Sequence, residues 1–310
     1  MSIRFDDRVA IVTGAGNGLG RSHALGLAAR GAKVVVNDLG GARDGTGASG
    51  DAAREVVDKI VAAGGEAFAN GADVTEVEQV EAMVRETVDT WGRLDILVNN
   101  AGILRDKTFQ KMPLEDFEMV LDVHLMGTVH CIRASWGAMR EAGYGRVVVT
   151  TSSSGLYGNF GQSNYGAAKL GLVGLMKTLA QEGAKHDIRV NALAPCAATR
   201  MTEDLLPAEV LALLAPEAVS AGLLALVAED APNGAILSAG AGVFALARIF
   251  ETQGVHLPPD QWTPEAVAER WQEIGDTAGQ RAYQGGLEQT THLLEAAAKA
   301  MGIDPSGGGD

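Results

Sequence analysis

The sequence predicts an α/β protein built on a doubly wound parallel sheet of about seven strands, followed by a C-terminal helical extension. Three observations predict this fold. Short apolar runs rich in β-branched residues alternate with segments of helical pattern, and a glycine-rich turn follows the first apolar run. The apolar runs are also continuous, which is typical of strands buried on both faces of a parallel sheet that helices cover on both sides.

The predicted elements alternate along the chain. The strands cover residues 8–12, 33–36, 66–70, 95–98, 146–151, 188–193 and 235–237. The helices between them cover residues 19–29, 52–63, 76–91, 117–141 and 164–186, and glycines follow the first two. In a doubly wound sheet, ligands bind at the carboxyl ends of the strands, so the functional residues are expected there.

The character of the chain changes after about Gly242. Pro258-Pro259 is a break, and Thr263 resembles an N-cap with proline at the first helical position. The helix it opens runs to about Ile274, and residues 287–301 form another. Because this segment has few apolar residues for a core of its own, residues 1–254 are predicted to be the main domain. Residues 255–310 are predicted to be an extension and not an independent domain.

Composition excludes several functions. The 310 residues carry a formal net charge of −14, which argues against general nucleic-acid binding because phosphate contacts need clustered cations. No leader opens the chain and no apolar run approaches about 18 residues, so we expect a cytoplasmic protein that does not enter a membrane. The cysteines, Cys131 and Cys196, and the six histidines show no metal or disulfide spacing, so no metal is expected.

A glycine-rich turn over residues 13–20 separates the first predicted strand from the first predicted helix. Glycines let the backbone approach a pyrophosphate, and the helix N-terminus supplies free N–H groups and the positive end of its dipole. A plain tight turn is the alternative, but the place between a strand and a helix favours a dinucleotide site. The candidate contacts in the turn are Gly14, Asn17, Gly18, Leu19 and Gly20.

Asp38 ends the second predicted strand. A carboxylate there can accept both ribose hydroxyls and repel a 2′-phosphate, which predicts NAD as the cofactor. Arg43, in the glycine-rich insert that follows, is a cation that keeps NADP open. Asp73 and Val74 follow the third predicted strand, where Asp73 either caps the next helix or binds the adenine.

Tyr165 and Lys169 are four residues apart on a predicted helix, and so lie on the same face. A free tyrosine has a pKa of about 10. A neighbouring ammonium and a cationic nicotinamide ring would favour the phenolate, so Tyr165 could act as a general base near neutral pH. The alternative is a packed tyrosine beside a surface lysine, because this spacing is common by chance.

Two further motifs sharpen this hypothesis. Ser152 lies in the run Thr150–Ser154 that ends the fifth predicted strand, and Asn99-Asn100-Ala101-Gly102 follows the fourth. With the Thr-Gly-x-x-x-Gly-x-Gly turn and the Tyr-x-x-x-Lys pair, the sequence resembles the short-chain dehydrogenase/reductase family over about residues 4–250.

The resemblance implies a Rossmann fold and assigns roles to the residues. Tyr165 would remove the hydroxyl proton, Ser152 would hold the substrate oxygen, and Lys169 would bind the nicotinamide ribose while lowering the pKa of Tyr165. Tyr165 and Lys169 would thus also line the cofactor, together with Asn100, Ala101 and Gly102. The two long helices resemble those that form the family's subunit interface, which implies a homodimer or a homotetramer.

Several segments resemble the dehydrogenase part of the peroxisomal multifunctional β-oxidation enzymes. They are Arg4–Asp6, Val36–Gly41, Asn99–Asp106, Tyr157–Gln162, Arg200–Thr202 and Thr263–Val267. That group oxidises (3R)-3-hydroxyacyl-CoA with NAD, which implies an acyl-CoA substrate, and 17β-hydroxysteroids are the alternative. A non-catalytic dinucleotide-binding sensor is the alternative of another class. Candidate cations for CoA phosphates are Arg105, Lys107, Lys111 and Arg200, and the apolar candidates for a roof over the substrate are Leu205, Leu206 and residues 211–214.

Three positions depart from the broad family's pattern. Most members have asparagine where this chain has His124, at a helix kink whose backbone carbonyl holds a proton-relay water; a purely structural histidine is the alternative to a catalytic one. The usual Pro-Gly after the sixth strand is Pro195-Cys196, and the usual threonine five residues after that proline is Arg200. Pro195 and Ala197 are predicted to contact the nicotinamide end of the cofactor, with Ala197 as the backbone donor.

Overall fold

A computed structural model describes residues 2–42, 44–47, 49–197 and 213–303. The chain divides into two compact units, Met1–Ala247 and Arg248–Asp310. The boundary predicted from the sequence lies slightly later, between residues 254 and 255.

Among the described residues, one sheet of eight strands forms the centre of the first unit, in the order β3-β2-β1-β4-β5-β6-β7-β8. The strands are β1 Val9–Thr13, β2 Lys33–Asn37, β3 Ala67–Asn70, β4 Ile96–Asn99, β5 Gly145–Thr150, β6 Ile188–Cys196, β7 Ile236–Gly240 and β8 Val243–Ala247. All pairs from β3 to β7 are parallel, which confirms the predicted doubly wound sheet. The strand order reverses at β1, where β2 lies on one side and β4 on the other, and this is where such sheets bind ligands.

The sequence did not predict the eighth strand, nor the helices Ser153–Tyr157 and Pro216–Leu226. β8 runs antiparallel to β7 after a two-residue turn at Ala241-Gly242, where both residues have positive φ. Hairpin turns of this kind are usually signalled by Asn-Gly or Asp-Gly, and an alanine in the left-handed region gives no such signal.

Helices cover both faces of the sheet. In the first unit they are α1 Gly18–Ala28, α2 Asp51–Ala62, α3 Val77–Trp91, α4 Leu114–Leu121, α5 Gly127–Ala142, α6 Ser153–Tyr157, α7 Ser163–Gly183 and α8 Pro216–Leu226. Successive residues of a strand face opposite sides, and β2 shows the result. Val34 packs in the cluster that contains Leu27 and Leu223, whereas Val35 packs in the cluster that contains Met83 and Leu172.

The long helix predicted over residues 117–141 is interrupted. A π-helical turn, Asp122–Met126, joins α4 to α5 and contains the buried His124. Single π turns inside α-helices occur frequently at functional sites, and this one lies at the kink that the family resemblance implies.

The second unit contains α9 Pro264–Glu269, α10 Trp271–Ile274 and α11 Gly286–Met301. The Thr263 hydroxyl accepts a hydrogen bond from the backbone N–H of Ala266 and caps α9, as the sequence predicts. No residue in the described part of this unit, 248–303, is buried. None of the described helices has both the length and the apolar character needed to cross a membrane.

Candidate active site

The glycine-rich turn has no room for side chains. A Cβ at Gly20 would lie 2.5 Å from Nδ2 of Asn100 and would overlap the carbonyl oxygen of Gly14. Asn100 fastens the turn, because its Nδ2 donates to the carbonyl oxygens of Thr13 and Gly14, at 3.0 Å each. Gly14 has a φ of 62°, in the left-handed region that glycine tolerates best. The turn is therefore a bare backbone cradle of the kind that a pyrophosphate requires.

The first turn of α1 offers free backbone donors to this cradle. Asn17 is extended, with a φ of −142°, and α1 begins at Gly18. The Asn17 side chain forms no capping hydrogen bond, and no acidic residue lies in the first turn. The N–H groups and the positive dipole end of α1 thus remain available to an anion, and the residues fit a dinucleotide.

Asp38 lies beside this cradle, at the end of β2. Its two carboxylate oxygens accept hydrogen bonds from the backbone N–H groups of Gly16 and Gly40, each at 2.7 Å. A Cβ at Gly16 would lie 2.8 Å from Oδ2 of Asp38, so the glycine lets the carboxylate approach the turn. Leu39, which follows it, carries no charge, and Arg43 lies outside the described residues.

Asp73 and Val74 follow β3. The N-cap of α3 is Glu76, and no side chain caps that helix, so the interpretation of Asp73 as a helix cap is wrong and its contact with the adenine stays a prediction. Oδ1 of Asp73 accepts hydrogen bonds from the backbone N–H and the hydroxyl of Thr75, at 2.9 and 2.8 Å. The backbone oxygen of Val74 lies 3.0 Å from Nδ1 of His130. These bonds fix the segment, and they leave Oδ2 of Asp73 for a ligand.

Ser152, Tyr165 and Lys169 meet at the carboxyl end of β5. Ser152 is the N-cap of α6, and its Oγ accepts a hydrogen bond from the backbone N–H of Ser154 at 3.2 Å. The Ser152 side chain lies near the Tyr165 phenol and favours its ionised form, which lowers the pKa of Tyr165 against the larger effect of burial. Nζ of Lys169 lies 5.5 Å from the centre of the Tyr165 ring and donates to the Thr150 carbonyl at 2.6 Å.

Burial sets the ionisation of this group. Removal from water raises the pKa of Tyr165, with a smaller opposing effect from the Ser152 side chain. Burial lowers the pKa of Lys169 from 10.5 to about 7. At neutral pH the chain by itself therefore holds Tyr165 as a neutral phenol, and Lys169 is charged in only part of the molecules.

His124 lies against this group, with its ring edge-on to Tyr165 at 5.1 Å between centres. Its Nε2 lies 3.1 Å from the backbone nitrogen of Ile103 and 2.8 Å from the carbonyl oxygen of Ile103. Either neutral tautomer thus has a partner at Nε2, whereas Nδ1 is buried without a partner among the residues that the structure describes. The His124 carbonyl accepts a hydrogen bond from the Thr128 hydroxyl at 2.7 Å.

Gly102 makes room for this histidine, because a Cβ at Gly102 would overlap the imidazole. Ala101 lies beside the glycine turn, and its backbone N–H donates to the Thr13 hydroxyl at 3.1 Å. The segment Asn100–Gly102 thus joins the candidate cofactor cradle to the candidate catalytic group.

Sequence reasoning missed Asn164, which is fully buried beside Tyr165. Its Nδ2 donates to the Arg105 carbonyl at 3.1 Å, and its Oδ1 accepts from the Tyr165 backbone N–H at 2.7 Å. Asn164 therefore fixes the start of α7, and with it the position of the phenol. A polar residue in the first turn of a helix is too common in sequences to signal this role.

The proposed nicotinamide end is described only in part. Pro195 pairs with Ala239 near the end of β6, and Ala197 is buried. Arg200, Leu205, Leu206, Leu211 and Ala212 lie outside the described residues. Of the predicted roof, the structure describes Leu213, which is exposed, and Leu214, which is buried. Two of the candidate cations for CoA phosphates already have an acidic partner. Arg105 and Lys107 each form an ion pair with Asp116 at 2.9 Å.

The described segments contain no cluster of three or more His, Cys, Asp or Glu side chains that could hold a metal ion. Cys131 is buried and Cys196 is exposed, and both are free thiols.

Comparisons with known proteins agree with this geometry. The family described as short chain dehydrogenase matches residues 8–209. A protein of Mycobacterium tuberculosis named as a short-chain type dehydrogenase/reductase is 53% identical over 276 residues, which are 88% of this chain and 96% of that protein. The peroxisomal multifunctional enzyme type 2 of Mus musculus is 45% identical over 309 residues, which are 98% of this chain but only 42% of that enzyme.

One solved structure bears on the ligands. A 7α-hydroxysteroid dehydrogenase complexed with NADH and 7-oxo glycochenodeoxycholic acid superimposes with a TM-score of 0.69 at 30% identity. The match covers 77% of this chain and 95% of that structure.

Proposed function

Because this chain belongs to the short-chain dehydrogenase family and is an oxidoreductase acting on CH–OH groups, we propose that it uses NAD to oxidise (3R)-3-hydroxyacyl-CoA to 3-ketoacyl-CoA. The observation that carries the proposal is the meeting of Ser152, Tyr165 and Lys169 beside a bare glycine turn. The match to the multifunctional enzyme type 2 confirms the resemblance found in the sequence and supports the acyl-CoA substrate.

The cofactor proposal rests on the glycine turn, α1 and Asp38. The turn and the N-terminus of α1 would hold the pyrophosphate, and Asp38 would accept the hydroxyls of the adenine ribose while repelling a 2′-phosphate. Asn100–Gly102, Asp73-Val74, Pro195 and Ala197 are the remaining proposed contacts. The nicotinamide supplies the hydride acceptor when NAD is bound.

Tyr165 is the proposed general base. Ser152 holds the substrate oxygen beside the phenol, and Tyr165 takes the hydroxyl proton as the carbonyl forms. Lys169 contributes a positive charge next to a phenol whose pKa burial has raised, so its ammonium form lowers the cost of the phenolate. The same lysine is the proposed ligand of the nicotinamide ribose.

His124 is proposed to support proton transfer from this group. Its Nδ1 is buried and has no partner in the described part of the chain, and such an atom usually has a water or a ligand group as partner. Changing His124 to Asn, the residue most common in the family, tests this role. A shifted pH profile of kcat supports participation of the side chain, and an unchanged profile means that the backbone carbonyl suffices.

A second candidate is a 17β-hydroxysteroid. It is favoured by the structural similarity to a hydroxysteroid dehydrogenase that was solved with a bile-acid ketone. A steroid needs apolar surface, whereas CoA phosphates need cations. The pairing of Arg105 and Lys107 with Asp116 reduces the cations available for CoA phosphates, which keeps this alternative open.

One assay separates these proposals. NADH formation is followed with (3R)- and (3S)-3-hydroxyacyl-CoA and with 17β-hydroxysteroids, and NAD is compared with NADP. We expect oxidation of the (3R)-thioester with NAD and its loss in Tyr165→Phe. Turnover of free steroids only would exclude the acyl-CoA proposal, and equal efficiency with NADP would exclude the cofactor preference. Binding of NAD without turnover of any alcohol would indicate a sensor.

We also propose that the protein is a cytoplasmic homodimer or homotetramer. The outer surfaces of α5 and α7 form an apolar depression lined by Val129, Ile132, Trp136, Leu175 and Leu179, which a second copy of the chain would bury. A monomer in light scattering would exclude this assembly.

A further inference from the structure

Asp106 is a charged side chain at the candidate active site that the proposed mechanism does not use. It is exposed, and it forms no ion pair with any residue that the structure describes. The two cations that flank it in sequence, Arg105 and Lys107, are both directed to Asp116. The charge of Asp106 is therefore not neutralised by its immediate neighbours.

A glutamine holds this carboxylate in place. Oδ2 of Asp106 accepts a hydrogen bond from Nε2 of Gln162 at 2.7 Å. Oε1 of Gln162 in turn accepts from the Ser154 hydroxyl at 2.8 Å and from Nδ2 of Asn159 at 3.0 Å. Asp106, Gln162, Ser154 and Asn159 thus form one connected hydrogen-bond network. The Asp106 carboxylate cannot turn away from Gln162 without breaking a charge-assisted hydrogen bond.

This network ends at the candidate catalytic group. The backbone N–H of Ser154 donates to Oγ of Ser152, whose side chain lies near the phenol of Tyr165. The backbone N–H of Lys107 donates to the carbonyl of Gly161 at 3.0 Å, so the two loops that carry Asp106 and Gln162 run side by side. Asp106 is thus anchored on the rim of the site where the substrate oxygen must lie.

The charge of Asp106 opposes the proposed chemistry. It raises the pKa of Tyr165, and so makes the base form of that residue less accessible. Asp106 therefore does not assist the proton transfer, and its charge lies on the rim of the site, next to the position that the substrate would occupy.

The charge of the substrate near the reacting carbon differs between thioesters and free acids. In a 3-hydroxy or 3-keto acid, the carboxylate lies two carbons from the carbon that reacts, whereas a thioester is neutral at that position. A fixed negative charge on the rim repels the first and not the second. Lys169, the buried cation of the candidate catalytic group, donates to the Thr150 carbonyl.

We propose that Asp106, positioned by Gln162, is a specificity-determining residue that admits 3-hydroxyacyl groups as neutral thioesters and rejects the corresponding free acids. This inference rests on the proposed function, since it concerns the acyl end of that substrate.

The test compares acetoacetate with methyl acetoacetate, which have the same ketone and differ in charge at C1. Both are titrated into the complex of the full-length enzyme with NADH, and binding is followed by cofactor fluorescence. The inference predicts that the ester binds at least about tenfold more tightly than the acid. Asp106→Asn has the same shape without the charge. It should bind acetoacetate more tightly, so that the ratio of the Kd for acetoacetate to the Kd for methyl acetoacetate falls about tenfold. Asp106→Glu keeps the charge and the ratio.

An unchanged ratio in Asp106→Asn would overturn the inference, and so would the absence of ester binding to the wild-type complex. If Asp106→Asn fails to bind NADH, Asp106→Ser gives the same comparison. The titration needs no turnover of hydroxyacyl-CoA. If hydroxyacyl-CoA is not oxidised, the proposed function is wrong. If Asp106→Asn does not change the relative binding of the acid and the ester, the role of Asp106 is wrong, and the two results are independent.

Discussion

Replacing Lys169 with methionine is expected to stabilise the protein while removing its alcohol dehydrogenase activity. The lysine is almost fully buried, and burial lowers its pKa from 10.5 to about 7. Methionine has a similar length, is apolar and adapts to irregular space, so it fills the same volume without a charge.

The magnitude follows from the shift of the pKa. At about 1.4 kcal/mol per pKa unit, burying the charged lysine costs about 5 kcal/mol in the free energy of unfolding. The folded state binds fewer protons than the unfolded state between about pH 7 and 10.5, so stability rises with pH across that window and the cost is fully present below it. Methionine leaves the Thr150 carbonyl without its donor, which costs about 1–3 kcal/mol. The net gain at pH 7 is expected to be about 2–4 kcal/mol.

Urea unfolding without cofactor at pH 7 and pH 10 measures this gain. Lys169→Met is expected to be more stable than the wild type at pH 7, and the difference should shrink or reverse at pH 10. Lys177→Met is the matched control, because Lys177 lies on the same helix and also donates to a backbone carbonyl, that of Gly234, but is only partly buried. Activity should fall at least about a hundredfold in Lys169→Met. A variant less stable than the wild type at pH 7, or a difference independent of pH, would refute the reasoning.

Other positions give further expectations. Asp38→Asn removes the repulsion of a 2′-phosphate, so kcat/KM with NADP should rise about tenfold or more while kcat/KM with NAD falls; an unchanged cofactor ratio in steady-state kinetics contradicts the assignment. Gly20→Ala places a methyl group against Gly14 and Asn100, so the Kd for NAD should rise more than about tenfold in a calorimetric titration, and unaltered binding would mean that the turn does not hold the cofactor. His23 is buried with its pKa lowered to about 3, so the folded state binds fewer protons than the unfolded state between about pH 3 and 6.5, and stability decreases as the pH is lowered through that range. Between pH 7 and 5 the wild type should lose about 2 kcal/mol through this group, a loss that His23→Gln should remove in urea unfolding; equal pH slopes would exclude this role.

The sequence by itself determined the features that depend on short stretches of chain. Continuous apolar runs predicted the parallel strands, because a strand buried on both faces needs apolar side chains at every position. The glycine turn, and the spacing of Tyr165 and Lys169 on one helix face, are likewise local patterns. Each can be read within about ten residues, and the structure brings them to the same edge of the sheet.

Tertiary structure decided the features that join distant segments. The bond between Asp106 and Gln162 spans 56 positions, and the contact of His124 with Ile103 spans 21, so no local pattern announces either one. The ion pairs that turn Arg105 and Lys107 towards Asp116 are of the same kind. The physical reason is that a polar side chain is compatible with many surroundings, and only the packed fold selects its partner, whereas apolar periodicity constrains the chain directly.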